Sequence, residues 1–191
     1  MIHIGDRYNN DPIHIAAMKG YLQVLKILLE NGADTDSKNE EEQTPMHLAA
    51  DNGRTNCVRE LLEKDKSSAN DEDENSNTPL HLAALNGHSK VADLLLRNGA
   101  DVKARNGSLW TPLDCAAAKG WVKTARVLLE NDSPVDPMDK AKTTPLHLGC
   151  RYGHADVVKL LVRWNAKTTQ CDSDGNNCLD LAIDNNKIDA A

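Results

Sequence analysis

The stretch Asn77-Thr78-Pro79-Leu80-His81-Leu82-Ala83-Ala84-Leu85-Asn86-Gly87-His88 decides the fold. Its tetrad Thr-Pro-Leu-His returns as Thr44-Pro45-Met46-His47 and as Thr144-Pro145-Leu146-His147. Weaker forms are Asp11-Pro12-Ile13-His14, Thr111-Pro112-Leu113-Asp114 and Asn177-Cys178-Leu179-Asp180. The tetrads begin at residues 11, 44, 78, 111, 144 and 177, so the steps are 33, 34, 33, 33 and 33. A fixed period of this length indicates a stack of repeated units, each in contact with its neighbours.

Each unit follows one local pattern. A Thr oxygen can cap a helix, and Pro suits the first helical position because its missing N–H has no partner there. A short Leu- and Ala-rich helix follows and ends at a glycine that tolerates positive φ. These glycines are Gly20, Gly53, Gly87, Gly120 and Gly153, and Asn186 takes the place in the sixth unit. A second helix with an apolar face at helical spacing completes the unit.

The period and the tetrad resemble those of the ankyrin-repeat family. The resemblance implies an all-α repeat solenoid, in which each unit has a β-hairpin loop and two antiparallel helices. Residues 1–191 are then a single array, with units starting near 11, 44, 78, 111, 144 and 177 and the last one truncated. Five polar loops separate the units, at 34–43, 66–77, 101–110, 134–143 and 167–176.

The ends of the second helices and of the chain give two further expectations. Gly32 and Gly99 end two second helices, whereas Asp65, Asp132 and Asn165 take that place elsewhere, which predicts modest local strain in those units. Residues 187–191 begin a second helix in the sixth unit and stop. This leaves a stacking face uncovered, which predicts that the chain is a fragment of a longer protein.

Composition excludes several classes. The net charge of −7 argues against a general nucleic-acid binder, because such proteins cluster Lys and Arg. No apolar run approaches the roughly 20 residues that span a bilayer, so this segment is not expected to insert into a membrane. Five cysteines without a Cys-x-x-Cys pair favour neither a disulfide framework nor a zinc site. A reducing, cytoplasmic setting fits this cysteine content.

The histidines and carboxylates do not form a recognisable active site. The histidines recur with the period of the repeat, which places them in successive units of the stack. That separation is beyond the roughly 2.0–2.1 Å reach of a shared zinc ion. In the ankyrin-repeat family the tetrad His is known for structural hydrogen bonds. The acidic runs Glu40-Glu41-Glu42 and Asp71-Glu72-Asp73-Glu74, and the calcium-loop-like Asp172-x-Asp174-Gly175, read as solvated loops. We therefore expect no catalysis, no metal and no cofactor.

Two sets of residues are candidates for an interface. The first two complete loops are acidic, whereas Lys103, Arg105, Lys140 and Lys142 make the next two basic, a polarity that could orient a partner. A mixed, solvated surface is the alternative. Of three tryptophans, Trp110 and Trp121 occupy positions where packing is the default. Trp164 replaces Asn31 and Asn98 at the polar end of a second helix, which suits an interface anchor, with packing on the next loop as the alternative.

The cysteines divide by position. Cys57, Cys115 and Cys150 lie on helices and read as core residues. Cys171 lies in the last loop, and Cys178 takes the Pro position of the sixth unit. These two are expected to be more exposed and are the candidate reactive cysteines, against an inert role for each.

The sixth unit adds a narrower resemblance. Its segment Gly175-Asn176-Asn177-Cys178-Leu179-Asp180-Leu181-Ala182-Ile183-Asp184-Asn185-Asn186 is similar to the closing ankyrin repeats of the transient receptor potential ankyrin-type cation channels. This similarity implies a protein-interaction and structural-coupling module, made of the membrane-proximal cytosolic repeats of a stimulus-gated channel. Its partners would be another protein or other parts of the same channel. A soluble scaffold or adaptor that grips a partner on its concave surface is the alternative. The isolated segment is expected to be monomeric.

Overall fold

Eleven helices, packed in two rows, form the described part of the chain. The computed structural model describes residues 6–184, so the predictions for residues 1–5, Asn186 and 187–191 lie outside the described residues. The helices are α1 Pro12–Lys19, α2 Leu22–Glu30, α3 Pro45–Asp51, α4 Thr55–Lys64, α5 Pro79–Leu85, α6 Ser89–Arg97, α7 Pro112–Ala118, α8 Val122–Glu130, α9 Pro145–Tyr152, α10 Ala155–Arg163 and α11 Cys178–Asp184. The predicted all-α solenoid of paired helices is confirmed.

The odd-numbered helices form an inner row and the even-numbered helices an outer row. Each inner helix packs on the next inner helix, from α1 through α11, and the outer helices pack in series from α2 to α10. The inner helices α1, α3, α5, α7 and α9 also pack on the outer helices of their own units. The units are numbered one to six after their tetrads, and each loop takes the number of the unit that it precedes. Loops two to six are therefore 34–43, 66–77, 101–110, 134–143 and 167–176.

The capping pattern fixes where each inner helix begins. Thr44, Thr78, Thr111 and Thr144 each form a capping box with the residue three positions later, and Pro occupies the next position. The five glycines after the inner helices have φ between 67° and 79°, as predicted. This left-handed turn directs the chain back along the outer helix, so the two helices of a unit run antiparallel.

The core consists of small and aliphatic side chains. Leu61, Leu95, Leu128 and Leu161 occupy one repeated position of the outer helices, and each is at most 1% exposed. Burial of one such side chain contributes on the order of 1.5–3 kcal/mol. Alanines of the inner helices let neighbouring units approach closely, so the core is continuous along the stack.

Two predictions about loops need correction. The loops are hairpin-shaped, but they are held by turns, and no strand forms within residues 6–184. Asp132 and Asn165 have φ of 63° as predicted, whereas the prediction for Asp65 is wrong because its φ is −145°. Helix α4 is one residue longer than its counterparts, and a 3-10 turn, Ser67–Asn70, follows it. The Asp65 carboxylate accepts the Ser67 backbone N–H at 2.9 Å and so caps this turn.

Candidate functional site

Buried imidazoles connect consecutive units. His47 is fully buried, and its Nδ1 accepts the Thr44 backbone N–H at 3.2 Å. A nitrogen that accepts this bond carries no proton, so the network assigns the neutral Nε2–H tautomer. The Nε2–H donates to the Asn77 carbonyl oxygen in loop three at 3.0 Å. Each such ring therefore caps its own helix and holds the next loop.

The same arrangement recurs in units one, three and five. His14 lies 2.9 Å from the Ser37 carbonyl oxygen, His81 3.0 Å from that of Trp110, and His147 2.9 Å from that of Gln170. Burial lowers the pKa of His14, His47 and His81, which keeps these three rings neutral. The structural role predicted for the tetrad histidines is confirmed. Within residues 6–184 no group of three or more His, Cys, Asp or Glu side chains could hold a metal ion.

A second contact between units involves the residue after each inner-helix glycine. The side chain of this residue lies over the glycine of the preceding unit. A side-chain N–H donates to the backbone carbonyl oxygen of the residue two positions before that glycine. The bonds join Arg54 to Met18 at 3.0 Å, His88 to Asp51 at 2.9 Å, Trp121 to Leu85 at 2.8 Å and His154 to Ala118 at 3.1 Å. A side chain on the glycine would occupy the same space, so glycine is required there for packing as well as for φ.

A third repeated feature was not recognised from the sequence. Asp or Asn stands five residues before each tetrad, and its side-chain oxygen accepts two backbone N–H groups of its own loop at 2.8–3.0 Å. These residues are Asp6, Asn39, Asp73, Asn106, Asp139 and Asp172. Asp73 and Asp172 are each only 6% exposed, so the prediction that both belong to solvated acidic loops is wrong for these two residues. Their periodic spacing in the sequence is the signal that could have identified them.

The three tryptophans have different environments. The Trp110 Nε1–H donates to the Asp139 carboxylate at 3.1 Å, and its ring is partly buried against the core. Trp121 is 43% exposed, although its ring covers Gly87. Trp164 caps the end of α10 and is 37% exposed. Hydrogen bonds to another unit thus hold the indoles of Trp110 and Trp121, whereas no hydrogen bond found within residues 6–184 involves the indole of Trp164.

The four predicted cations lie on two neighbouring loops. Arg105 Nη1 donates to the carbonyl oxygens of Leu109 at 3.0 Å and Met138 at 2.6 Å. Lys140 Nζ donates to the Gly107 carbonyl oxygen at 2.6 Å. Lys103 and Lys142 are exposed, and within the described residues neither side chain forms an ion pair. Two of the four charges therefore hold the loops together, and two face solvent.

The cysteines differ in exposure. Cys57, Cys115 and Cys150 are buried, and burial raises the pKa of Cys115 and of Cys150 to about 12. Cys171 is exposed, whereas Cys178 is only partly exposed because it packs against the core. The neighbouring thiol of Cys178 adds to the raised pKa of Cys150. Of the two candidate reactive cysteines, Cys171 has the freer access to solvent.

An open depression lies between loops three and four. It has a volume of about 550 Å³ and is lined by Leu85, Trp110 and Cys115 together with polar loop residues.

None of the helices within residues 6–184 is long and apolar enough to cross a membrane.

Asp114 is the exception among the tetrads. It replaces His in unit four, is 1% exposed, and its Oδ2 accepts the Thr111 N–H at 2.8 Å and the Thr111 hydroxyl at 2.7 Å. Its Oδ1 is buried, and none of the residues 6–184 supplies a hydrogen-bond partner for it. Burial raises the pKa of Asp114 to about 7; the nearby Asp139 raises it further, whereas the bonds from Thr111 and the charge of Arg105 lower it.

We expect the Asp114 carboxyl group to make the stack less stable as pH rises through neutrality. Because its pKa is higher in the folded than in the unfolded chain, its contribution is lost as pH rises through about 7. Through this group alone, the free energy of unfolding should fall by about 1.4 kcal/mol between pH 6 and pH 8.5. The imidazoles of His14, His47 and His81 act in the opposite sense and at lower pH, because burial lowers their pKa. Urea titrations of the parent chain and of Asp114→Asn measure the effect; an equal pH slope in both proteins would contradict it.

Comparison with known proteins follows the same repeat. A family model described as ankyrin repeats in three copies matches residues 13–106, 66–140, 103–172 and 134–191. The chain is 36% identical over 106 residues to a transient receptor potential cation channel subfamily A member 1 homolog of Caenorhabditis elegans, covering 56% of this chain and 9% of that protein. It is 37% identical over 100 residues to the transient receptor potential cation channel subfamily A member 1 of Homo sapiens, covering 52% of this chain and 9% of that protein.

A different class of protein matches a shorter segment. The chain is 45% identical over 53 residues to the E3 ubiquitin-protein ligase XB3 of Oryza sativa subsp. japonica, covering 28% of this chain and 12% of that protein. The chain thus spans about a tenth of the length of these relatives. The family match extends from residue 13 to residue 191, and the helix pairs, capping boxes and glycine turns are those of the repeat. The chain belongs to the ankyrin-repeat family.

Proposed function

We propose that this chain is part of the cytosolic ankyrin array of a stimulus-gated, transient receptor potential ankyrin-type cation channel. The observation that carries this proposal is the extent of similarity, because two such channels match more than half of the chain and the ubiquitin ligase matches 28%. All of residues 1–191 would belong to one array. In this proposal the array is non-catalytic, and it binds other parts of the channel or another protein and couples their movements to the pore.

The direct test is the complete transcript that encodes this chain. The proposal expects about six downstream apolar segments, each of roughly 20 residues, which is the length that crosses a bilayer as a helix. A complete transcript without such segments would reject the channel and favour the alternative, a soluble scaffold or adaptor. The similarity to the ubiquitin ligase and the depression between loops three and four support that alternative.

For either function we propose an interface at the basic loops and at the end of α10. Lys103 and Lys142 face solvent, and Trp164 is 37% exposed at the end of α10. Loops two and three carry carboxylates, whereas loops four and five carry cations. A partner that lies along the row of loops therefore meets negative charge at loops two and three and positive charge at loops four and five. Cys171 is the more accessible candidate for modification by an electrophile.

Replacement of Trp164 tests this interface. In a channel chimera that contains this chain, Trp164→Ala should shift the stimulus–response curve, because an exposed aromatic anchor contributes to binding. The free energy of unfolding of the isolated chain should change by less than about 0.5 kcal/mol, as is usual for exposed positions. Trp121→Ala is the matched control, since it should destabilise the isolated chain. An unchanged response of a normally expressed Trp164→Ala chimera would remove Trp164 from the interface.

A further inference from the structure

Four of the five junctions between consecutive units share two hydrogen bonds. The first is the bond from the tetrad imidazole to the next loop. The second joins two loops directly, from a backbone N–H of one to a backbone carbonyl oxygen of the loop before it. These loop-to-loop bonds run from Glu40 to Tyr8 at 3.1 Å, from Glu74 to Glu41 at 3.1 Å, from Gly107 to Asn75 at 2.8 Å and from Ser173 to Ala141 at 2.9 Å.

The junction of units four and five has neither bond. Asp114 stands in the imidazole position, and its outer oxygen has no partner, because a carboxyl group is shorter than an imidazole ring. By the spacing of the other four bonds, the Lys140 N–H should donate to the Ser108 carbonyl oxygen. Among the backbone hydrogen bonds of the described residues, this one is missing. Two bonds of different kinds are therefore absent from the same junction.

The links that remain on the loop side are made by side chains. Arg105 reaches the Met138 carbonyl oxygen, Lys140 reaches that of Gly107, and the Trp110 indole reaches Asp139. The first two side chains are long and exposed, so water competes for these bonds and fixing the side chains costs entropy. On the helix side the junction is intact, since His154 lies over Gly120 and donates to Ala118.

We propose that units four and five meet at a hinge. The helix side, where α7 packs on α9 and His154 covers Gly120, is the pivot, and loops four and five separate from each other. Units one to four then move as one body and units five and six as another. Opening changes the spacing of the two basic loops, 101–110 and 134–143. The hinge rests on the missing bonds and holds whichever function the parent protein has.

Pairs of spin labels one unit apart test the hinge. Asn75, Ser108, Ala141 and Asp174 occupy the same exposed position in loops three to six. Labelled cysteine pairs at 75 and 108, at 108 and 141, and at 141 and 174 therefore report the junctions three–four, four–five and five–six. The background carries Cys171→Ser and Cys178→Ser, which removes the two cysteines that are not buried. Frozen samples give the distance distribution of each pair by electron paramagnetic resonance.

The proposal expects a broader distribution, extending to longer distances, for the pair at 108 and 141 than for the other two pairs. Asp114→His, which returns an imidazole to the junction, should narrow that distribution and leave the other two unchanged. Equal widths at all three junctions in the parent background would overturn the hinge, whether or not Asp114→His folds. So would broad distributions at all three, because the motion would then belong to loops in general.

Discussion

Replacing Gly87 with alanine should destabilise the stack by about 3 kcal/mol, the sum of backbone strain and lost packing. Gly87 has φ of 75°, which costs a residue with a side chain about 1–2 kcal/mol. A Cβ atom there would lie 2.5 Å from Cδ2 of Trp121, so the indole has to move away. Moving the indole breaks its bond to the Leu85 carbonyl oxygen, which contributes about 1 kcal/mol. Urea unfolding followed by circular dichroism measures the loss.

Gly32→Ala is the matched control for this variant. Gly32 has φ of 80°, but nothing lies within 4 Å of a Cβ atom built on it. It should therefore show the backbone strain of about 1–2 kcal/mol without the packing loss. If the two variants lose the same stability, Trp121 does not hold unit four on unit three. Adding Trp121→Ala to Gly87→Ala should cost less than the two single effects combined, because both remove one contact.

His81→Ala should cost about 3 kcal/mol or more. The ring is 1% exposed, accepts the Thr78 N–H at 3.1 Å and lies 3.0 Å from the Trp110 carbonyl oxygen. Alanine leaves both backbone groups buried without this partner and opens a cavity between units three and four. Each buried unpaired group costs about 1–3 kcal/mol. The free energy of unfolding at pH 7.5, where the parent ring is neutral, measures the effect.

His88→Ala provides the comparison within the same unit. His88 is half-buried and forms one bond to the preceding unit, at 2.9 Å from the Asp51 carbonyl oxygen. Its loss should cost about 1 kcal/mol, since water can replace the missing donor. A loss for His88→Ala as large as that for His81→Ala would show that the buried tetrad imidazole has no special role in joining units.

Residues that act within one unit were the most predictable from sequence. Thr, Pro and Gly have local conformational preferences, so the start of each inner helix and the turn after it followed from the tetrad and the period alone. The contacts between units were harder to predict, because they depend on which residues face one another across a junction. Trp121 and His88 have unlike side chains, yet both cover a glycine of the preceding unit. Without the structure their shared role is not visible.

The errors have local physical causes. Asp65 escaped the expected strain because one additional residue let α4 extend and a 3-10 turn form after it. Asp73 read as a solvated residue because it lies within an acidic run, although its carboxylate accepts two N–H groups of its own loop. Arg105 and Lys140 read as surface charges, whereas both bond to backbone carbonyl oxygens of a neighbouring loop. A charge pattern shows which loops are polar but not which charges are already bound.

The proton on the tetrad imidazoles is the most direct measure of how the units are joined. If Nε2–H of each ring donates to the following loop, its proton exchanges slowly with water and gives a visible nitrogen–proton correlation in the NMR spectrum at pH 7.5. We predict such signals for His14, His47, His81 and His147, each with a cross-peak to the loop of the next unit. Rings protonated on Nδ1, or Nε2 protons lost to rapid exchange, would contradict the stack described for this chain.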